Sequence, residues 1–282
     1  MIRPIAFLVG LFFSGMLLYS TVRGVVNFVS EPPAVTAEHE FHVHPKHLAL
    51  ASDGPLGKFD RAQLQRGFQV YKEVCSACHS LRLVSFRDLK DLGYDEGQIK
   101  TIATEWPIET PSVNPDTGEA ATRKSLAADR FPSPYANETA ARAANNNAAP
   151  PDLSLMTKAR HGGAPYIYSL LTGYQAPPAK LKKEFPDSMP SATTHYNPYF
   201  ANLNLAMAAP LTTEGQVTYG EGAPKPTVNQ MAKDVSAFLV WTAEPKLENR
   251  NRAGIASIIF LLIFAGLAYG SYKSIWADKK KG

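Results

Sequence analysis

Cysteine is nearly missing from this chain: two residues in 282, Cys75 and Cys78. With none elsewhere, a disulfide framework is excluded, and the redox compartment cannot be read from one. Charge of one sign is scarce too. The 29 basic and 25 acidic residues leave +4. That is too mild and too scattered for a nucleic-acid partner, and the short run Lys279-Lys280-Lys281 stands apart at the C-terminus. No internal repeat and no strand-rich stretch is visible. Sixteen of the 22 prolines, with seven of the 19 glycines, fall between residues 105 and 226, which predicts a loop-rich middle.

What the chain does have is two long uncharged runs. Residues 253–272 carry no charge between Arg252 and Lys273. As a helix, rising ~1.5 Å per residue, they cover roughly 30 Å, the thickness of a bilayer core. A buried soluble helix of that length would keep a polar face. Gly254, Gly266 and Gly270 are tolerated in a membrane helix, and Lys273 and Trp276 suit its exit. The other run follows Arg3, from Pro4 to Val22, and Arg23 is followed by seven more uncharged residues. A basic start before an apolar run fits a secretory signal and a retained anchor equally well. Either sends residues 31–250 across the membrane.

Between the runs, Glu31-Pro32-Pro33 reads as a linker. His39, His42, His44 and His47 then fall together around Pro45, an extended segment rather than a metal site. Asp60 with Gln63 makes a capping pattern, and Leu64, Phe68, Tyr71 and Val74 form one apolar face, so a helix is expected from Asp60 into Cys75. A weaker helix is expected over 87–98. From Trp106 to Asp152 the periodicity breaks at Asn114-Pro115-Asp116, Thr117-Gly118 and Asn145-Asn146-Asn147. Residues 164–172 read as a helix opened by Pro165, and 173–226 as mostly loop. Thr227 with Gln230 caps a last soluble helix whose apolar face is Val228, Met231, Val235, Phe238 and Leu239, ended by Pro245. A charged neck, Lys246 to Arg252, leads into the span.

Both cysteines fall inside one motif, Cys75-Ser76-Ala77-Cys78-His79. Cys-x-x-Cys-His is the attachment motif of c-type haem. The two thiols add across the vinyl groups of one porphyrin edge, and the histidine that follows turns its imidazole to the iron. A structural zinc site needs a further ligand pair, and a thioredoxin-like pair belongs beside a βαβ pattern; neither context is present. The sixth iron position needs another ligand. Met1 and Met16 lie in the N-terminal run, and Met156 and Met231 read as core. Met189 and Met207 remain, in proline-rich loops. Met207 follows an apolar stretch and is favoured, while Met189 has Glu184 and Asp187 nearby. His161 and His195 stay as alternatives.

Longer blocks carry a resemblance. They are Arg66-Gly67-Phe68-Gln69-Val70-Tyr71 before the motif, Phe86-Arg87-Asp88-Leu89 after it, and Ala141-Arg142-Ala143-Ala144-Asn145-Asn146. Pro150-Pro151-Asp152-Leu153-Ser154, Arg160-His161-Gly162-Gly163, Tyr168-Ser169-Leu170-Leu171-Thr172-Gly173-Tyr174 and Trp241-Thr242-Ala243-Glu244-Pro245 follow, with Arg250, Arg252 and Gly254 beyond. Through these the chain resembles the cytochrome c1 family, the haem-bearing subunits of quinol–cytochrome c reductase (cytochrome bc1) complexes of the alphaproteobacterial and mitochondrial kind.

The resemblance implies one covalent haem c on Cys75 and Cys78, with His79 and Met207 as axial ligands. Arg160 and Tyr166 would hold a haem propionate, and Pro150 and Pro151 would pack beside the haem. It implies cytochrome b and Rieske iron–sulfur partners in a dimeric complex, and relay of one electron from the Rieske protein to a c-type cytochrome. The chain departs from the family at Asn147, where glycine is common, and at Ala208-Ala209, where Ala-Pro is frequent. The extra cysteine pair of some bacterial relatives is missing, and the acidic docking stretch is weak.

The expected fold is mainly α: a cytochrome c-like haem domain with long loop insertions plus a C-terminal transmembrane helix. The expected division is a signal or anchor at 1–30, an extracytoplasmic haem domain at 31–250, the span at 251–274 and a basic cytoplasmic tail at 275–282. That places the chain in a bacterial inner membrane with the haem domain on the periplasmic side. No side chain acts as acid, base or nucleophile, so the chain is not an enzyme on its own. The other readings are a haem c subunit of a different respiratory complex, or a haem peroxidase with an open sixth position. Replacing both thiols, Cys75→Ala with Cys78→Ala, is expected to abolish the haem-stained band on a denaturing gel; a surviving covalent band would exclude the motif as the attachment site.

Overall fold

The computed structural model describes residues 2–32, 34–277 and 279. Pro33 of the expected linker, and Asp278 and 280–282 of the expected basic tail, lie outside the described residues. The chain forms two units, Met1–Phe41 and His42–Gly282. In the first, α1 (Ile2–Ser30) is followed by the short α2 (Ala37–Phe41). Phe7, Leu17 and Val29 of α1 are each 70% or more exposed, so α1 is not a core helix.

The second unit is built on two helices. α3 (Arg61–Val70) starts where Asp60 accepts the Gln63 N–H at 3.1 Å. Beyond Val70 the helix widens instead of ending. Residues Tyr71–Cys75 form a π-helical turn, with Ser76 N–H reaching back to Tyr71 O at 2.8 Å. The expected helix thus runs into Cys75, but its last turn is loosened, a distortion that recurs at functional sites. The 87–98 expectation divides in two. A 3₁₀ stretch, Phe86–Leu92, stops at Gly93, whose φ of 97° only glycine adopts readily, and Asp95 with Gln98 caps a new helix, α4 (Glu96–Thr104).

The loop-rich middle holds some local order that no strand signal announced. β1 (Thr110–Val113) pairs antiparallel with β2 (Ala120–Arg123) across the Asn114–Gly118 turn. α5 (Glu138–Ala144), α6 (Met156–Ala159), α7 (Gly163–Leu171) and α8 (Ala179–Glu184) follow, and β3 (His195–Tyr196) pairs with β4 (Asn204–Leu205). α7 begins at Gly163, two residues ahead of Pro165, its Ncap the left-handed Gly162.

α9 (Val228–Ala243) is the partner of α3, capped by Thr227 through the Gln230 N–H at 3.1 Å. The two helices touch at Gly67. A Cβ there would lie 2.1 Å from the carbonyl oxygen of Asp234 and 2.7 Å from Phe238 Cβ. Beside this contact Asp234 is wholly buried and accepts from Gln63 Nε2 at 2.9 Å, Gln230 Nε2 at 2.8 Å and Arg66 Nε at 2.9 Å. A buried carboxylate is tolerable only when its oxygens are so filled. Around the crossing an aromatic cluster closes the core. Phe68 and Tyr71 of the α3 segment, Trp106, Phe131 and Phe238 stand within 6.4 Å of one another's centroids in successive pairs.

α10 (Leu247–Trp276) starts inside the expected neck. Glu248 accepts the Phe59 N–H at 2.9 Å and sits 3.6 Å from Arg61. Glu244 takes Lys158 at 2.9 Å and Arg250 at 2.5 Å. Beyond this foot, none of the apolar window of α10 is buried, and the helix has the length and composition to cross a membrane. Tyr269, Tyr272 and Trp276 stack in a row near its end, with Lys273 and Lys279 over their rings, as at a membrane–water interface.

Gly67→Ala is expected to destabilise the fold by about 3 kcal/mol, the upper part of the overpacking range, because the obstructing atom is backbone. Gly97→Ala, on α4 and facing only the Asp95 carboxylate at 3.2 Å, is the comparison and is expected to be near neutral. Denaturant unfolding of both variants measures the difference.

Candidate functional site

The Cys75–His79 motif occupies the turn that closes α3. Both the Cys78 and His79 N–H groups point at the Cys75 carbonyl, at 3.1 and 2.9 Å. The Tyr71 hydroxyl donates to the His79 carbonyl at 3.0 Å. Four residues of sequence are thereby folded into a turn with both thiols on one short loop. Cys75 packs against the core, and burial, with the nearby Cys78, pushes its thiol up to about 12. Cys78 faces the hydroxyl of Tyr135, which accepts from Asn145 Nδ2 at 2.9 Å. Neither thiol is in a disulfide.

The His79 ring is oriented by one bond. Its Nδ1 lies 2.8 Å from the carbonyl oxygen of Pro151. A carbonyl can only accept, so Nδ1 carries the proton, and in the neutral ring Nε2 is left with a free lone pair. Burial holds the imidazole below its ordinary pKa, against the opposing pull of the Pro151 bond and the Asp152 charge. A neutral ring with one nitrogen committed and the other free is the state that binds iron. The donor set therefore fits a c-type haem: two thiols, a positioned imidazole and no competing cysteine.

Asp152 is what holds Pro151 in place, a role the sequence reading missed although the residue stood in a quoted block. Its carboxylate accepts from Ser80 Oγ at 2.8 Å, Arg82 N–H at 2.8 Å and Ser154 N–H at 3.0 Å. The Leu153 N–H returns to Ser80 O at 2.9 Å, and Leu83 N–H to Ser154 Oγ at 3.1 Å. The Pro150–Ser154 segment is thus stitched alongside the residues that follow His79. The loop leading to Pro150 turns through Asn146 and Asn147, at φ of 50° and 64°. Asparagine tolerates that left-handed region, so Asn147 can make the turn without a glycine.

The other expected residues form a second group. Gly162 and Gly163, at φ of 81° and 53°, make the corner between α6 and α7 that returns the chain from Arg160 to Tyr166. Burial raises the Tyr166 phenol above its ordinary value, against the opposing pull of the nearby Arg160 charge. Tyr174 lies next to Tyr166, and burial raises its phenol well above the ordinary value. Its hydroxyl donates to the Met207 carbonyl at 2.9 Å. Met189 and Met207 are both half-buried, so exposure does not separate them as expected. His161 and His195 are exposed. Among the described residues no hydrogen bond joins the Met207 group to the His79 group.

Burial alone would raise the Asp152 carboxyl, but its donors prevail and hold it below the usual carboxylate range. A depressed carboxyl stabilises the fold above its unfolded pKa, and that stability is lost as pH falls through the folded one. Asp152→Asn is expected to cost about 2 kcal/mol at neutral pH, the worth of charge-assisted bonds. It is also expected to flatten the acid limb of the stability–pH curve below about pH 4; unfolding curves at several pH values test both.

A model of the Cytochrome C1 family matches residues 50–279. The chain is 45% identical over 241 residues to "Cytochrome b/c1" of Bradyrhizobium diazoefficiens, covering 80% of this chain but only 34% of that longer protein. It is 44% identical over 265 residues to the mitochondrial "Cytochrome c1 1, heme protein" of Arabidopsis thaliana, covering 94% and 82% of the two chains. To "Cytochrome c1" of Rhodospirillum rubrum it is 42% identical over 236 residues, covering 80% and 85%. With the Cys75–His79 turn and the long apolar α10 in place, these similarities settle that the chain belongs to the cytochrome c1 family.

Proposed function

We propose that this chain is the haem c subunit of a quinol–cytochrome c reductase, accepting one electron from a Rieske iron–sulfur protein and passing it to a c-type cytochrome. The observation that carries the reading is the His79 ring: Nδ1 committed to Pro151 O and Nε2 left to ligate. The name of the Bradyrhizobium relative, which joins b and c1 in one longer protein, supports cytochrome b as a neighbour. The complex would be dimeric, in keeping with the same family resemblance.

Cys75 and Cys78 would hold the haem through two thioethers, with His79 and Met207 as axial ligands. Arg160 and Tyr166 would take a propionate, for which a guanidinium is suited by its paired donors. Pro150 and Pro151 would wall one side. When bound, the haem supplies the one-electron iron couple, and Met/His ligation raises its potential. The chain's own part is to keep His79 neutral, hold its ring by Pro151 and Asp152, and set both thiols on one short turn. Residues 31–250 would lie on the periplasmic side of a bacterial inner membrane, with α10 as the span and the basic end inside. Protease added to intact spheroplasts would then remove the haem domain, and protection of that domain would reverse the topology.

Met207→Leu is expected to open the sixth position. The midpoint should drop substantially, and the reduced form should bind carbon monoxide. The weak far-red sulfur-to-iron band of the oxidised protein should vanish. Met189→Leu is expected to change none of these; the opposite pattern would transfer the ligand to Met189, and no change in either variant would point to His161 or His195.

A further inference from the structure

One side chain beside Met207 has no part in the reading above. Tyr174 leaves α7 just after Gly173, a position with no room to adjust. A Cβ on Gly173 would stand 2.4 Å from the Tyr199 ring and 2.6 Å from Ser169 O. The Tyr174 hydroxyl is thereby aimed at the Met207 carbonyl, to which it donates at 2.9 Å.

The segment it reaches is otherwise poorly held. β4 ends at Leu205, and the next anchored group is the Pro210 carbonyl, which accepts from Gln216 Nε2 at 2.8 Å. Among the described residues, the Tyr174 bond is the hydrogen bond that holds positions 206–209. Those positions are Ala206, Met207, Ala208 and Ala209. Three of the four side chains are single methyl groups, too small to pin a loop by packing. A thioether is a neutral, weak ligand, so its hold on a metal depends on the loop keeping it in place against hydroxide or another base.

We propose that Tyr174 is a positioning residue: its hydroxyl fixes the Met207 peptide and so keeps the thioether at the iron. This rests on the reading of Met207 as the sixth ligand. Loss of the hydroxyl is expected to weaken ligation about tenfold, the worth of one net hydrogen bond.

The test uses the full-length chain with its haem, in its complex. In the oxidised state the far-red band is followed as pH rises; in the reduced state carbon monoxide binding is measured. Tyr174→Phe is expected to lose the band about one pH unit earlier than the unaltered chain, the tenfold weakening read through one proton. It is also expected to bind carbon monoxide where the unaltered chain does not. Tyr174→His, which keeps a ring and an N–H donor, should recover part of the shift. Tyr168→Phe, which removes a hydroxyl bonded to Asn229 at 3.4 Å, is the control and should titrate with the unaltered chain. Coincident titrations of Tyr174→Phe and the unaltered chain would overturn the proposal. If Tyr174→Phe fails to accumulate haem, Tyr174→Leu is compared with Tyr174→His, and equal midpoints overturn it. Met207→Leu separates the two readings. If that variant keeps the band, the ligand assignment has failed; if it loses the band while Tyr174→Phe does not shift, only the positioning role has.

Discussion

At Gly67 one helix backbone rests on another, and that separation governs where the site can sit. With only a hydrogen at this position, α3 lies against the Asp234 peptide of α9. Any side chain would lift α3, and with it the turn that ends in Cys75. The buried Asp234 adds direction to the contact, since Gln63, Arg66 and Gln230 converge on one carboxylate. Close approach sets the distance between the helices, and the carboxylate fixes their register. The aromatic cluster then fills the space left around the crossing, and the Cys75–His79 turn hangs from its edge through Tyr71.

Legibility followed how local each signal was. The caps at Asp60 and Thr227, the apolar face through Phe68 and Tyr71, and the uncharged run of α10 are written in neighbouring residues, and each appears where the pattern places it. The motif at Cys75 is local as well. What escaped is what depends on distant partners or on a single backbone angle. Gly93 broke an expected helix because its left-handed φ outweighed the periodicity on either side. The β1–β2 hairpin had its turn signals but no alternating apolar residues to mark strands. Asp152 and Tyr174 act on His79 and Met207 across long stretches of chain, and nothing next to either residue declares its target. Exposure likewise failed to rank Met189 against Met207, because hydrophobic neighbours in a proline-rich loop do not say which way the loop faces.

Both expected iron ligands are held by backbone carbonyls at one remove. His79 Nδ1–H donates a hydrogen bond to Pro151 O, and the Met207 carbonyl accepts one from the Tyr174 hydroxyl. The first bond selects a tautomer and a ring orientation, while the second restrains a loop. Each relies on its own support: Pro151 on the donors gathered by Asp152, Tyr174 on the crowding at Gly173. The arrangement puts chemical roles on a few residues and leaves their accuracy to ordinary hydrogen bonds and tight glycines nearby.

The foot of α10 has a mechanical meaning. Glu244 clasps Lys158 and Arg250, and Glu248 clasps Phe59 and Arg61, so the first turns of the span are bolted to the domain rather than strung from it. A slack tether would let its cargo wander through a hemisphere above the bilayer. A stiff pedestal keeps the cargo at constant altitude and tilt. Under the proposed electron-relay function, encounters with a diffusing partner would then become a search across a plane, and tunnelling distances on the membrane side would stay the same from one turnover to the next.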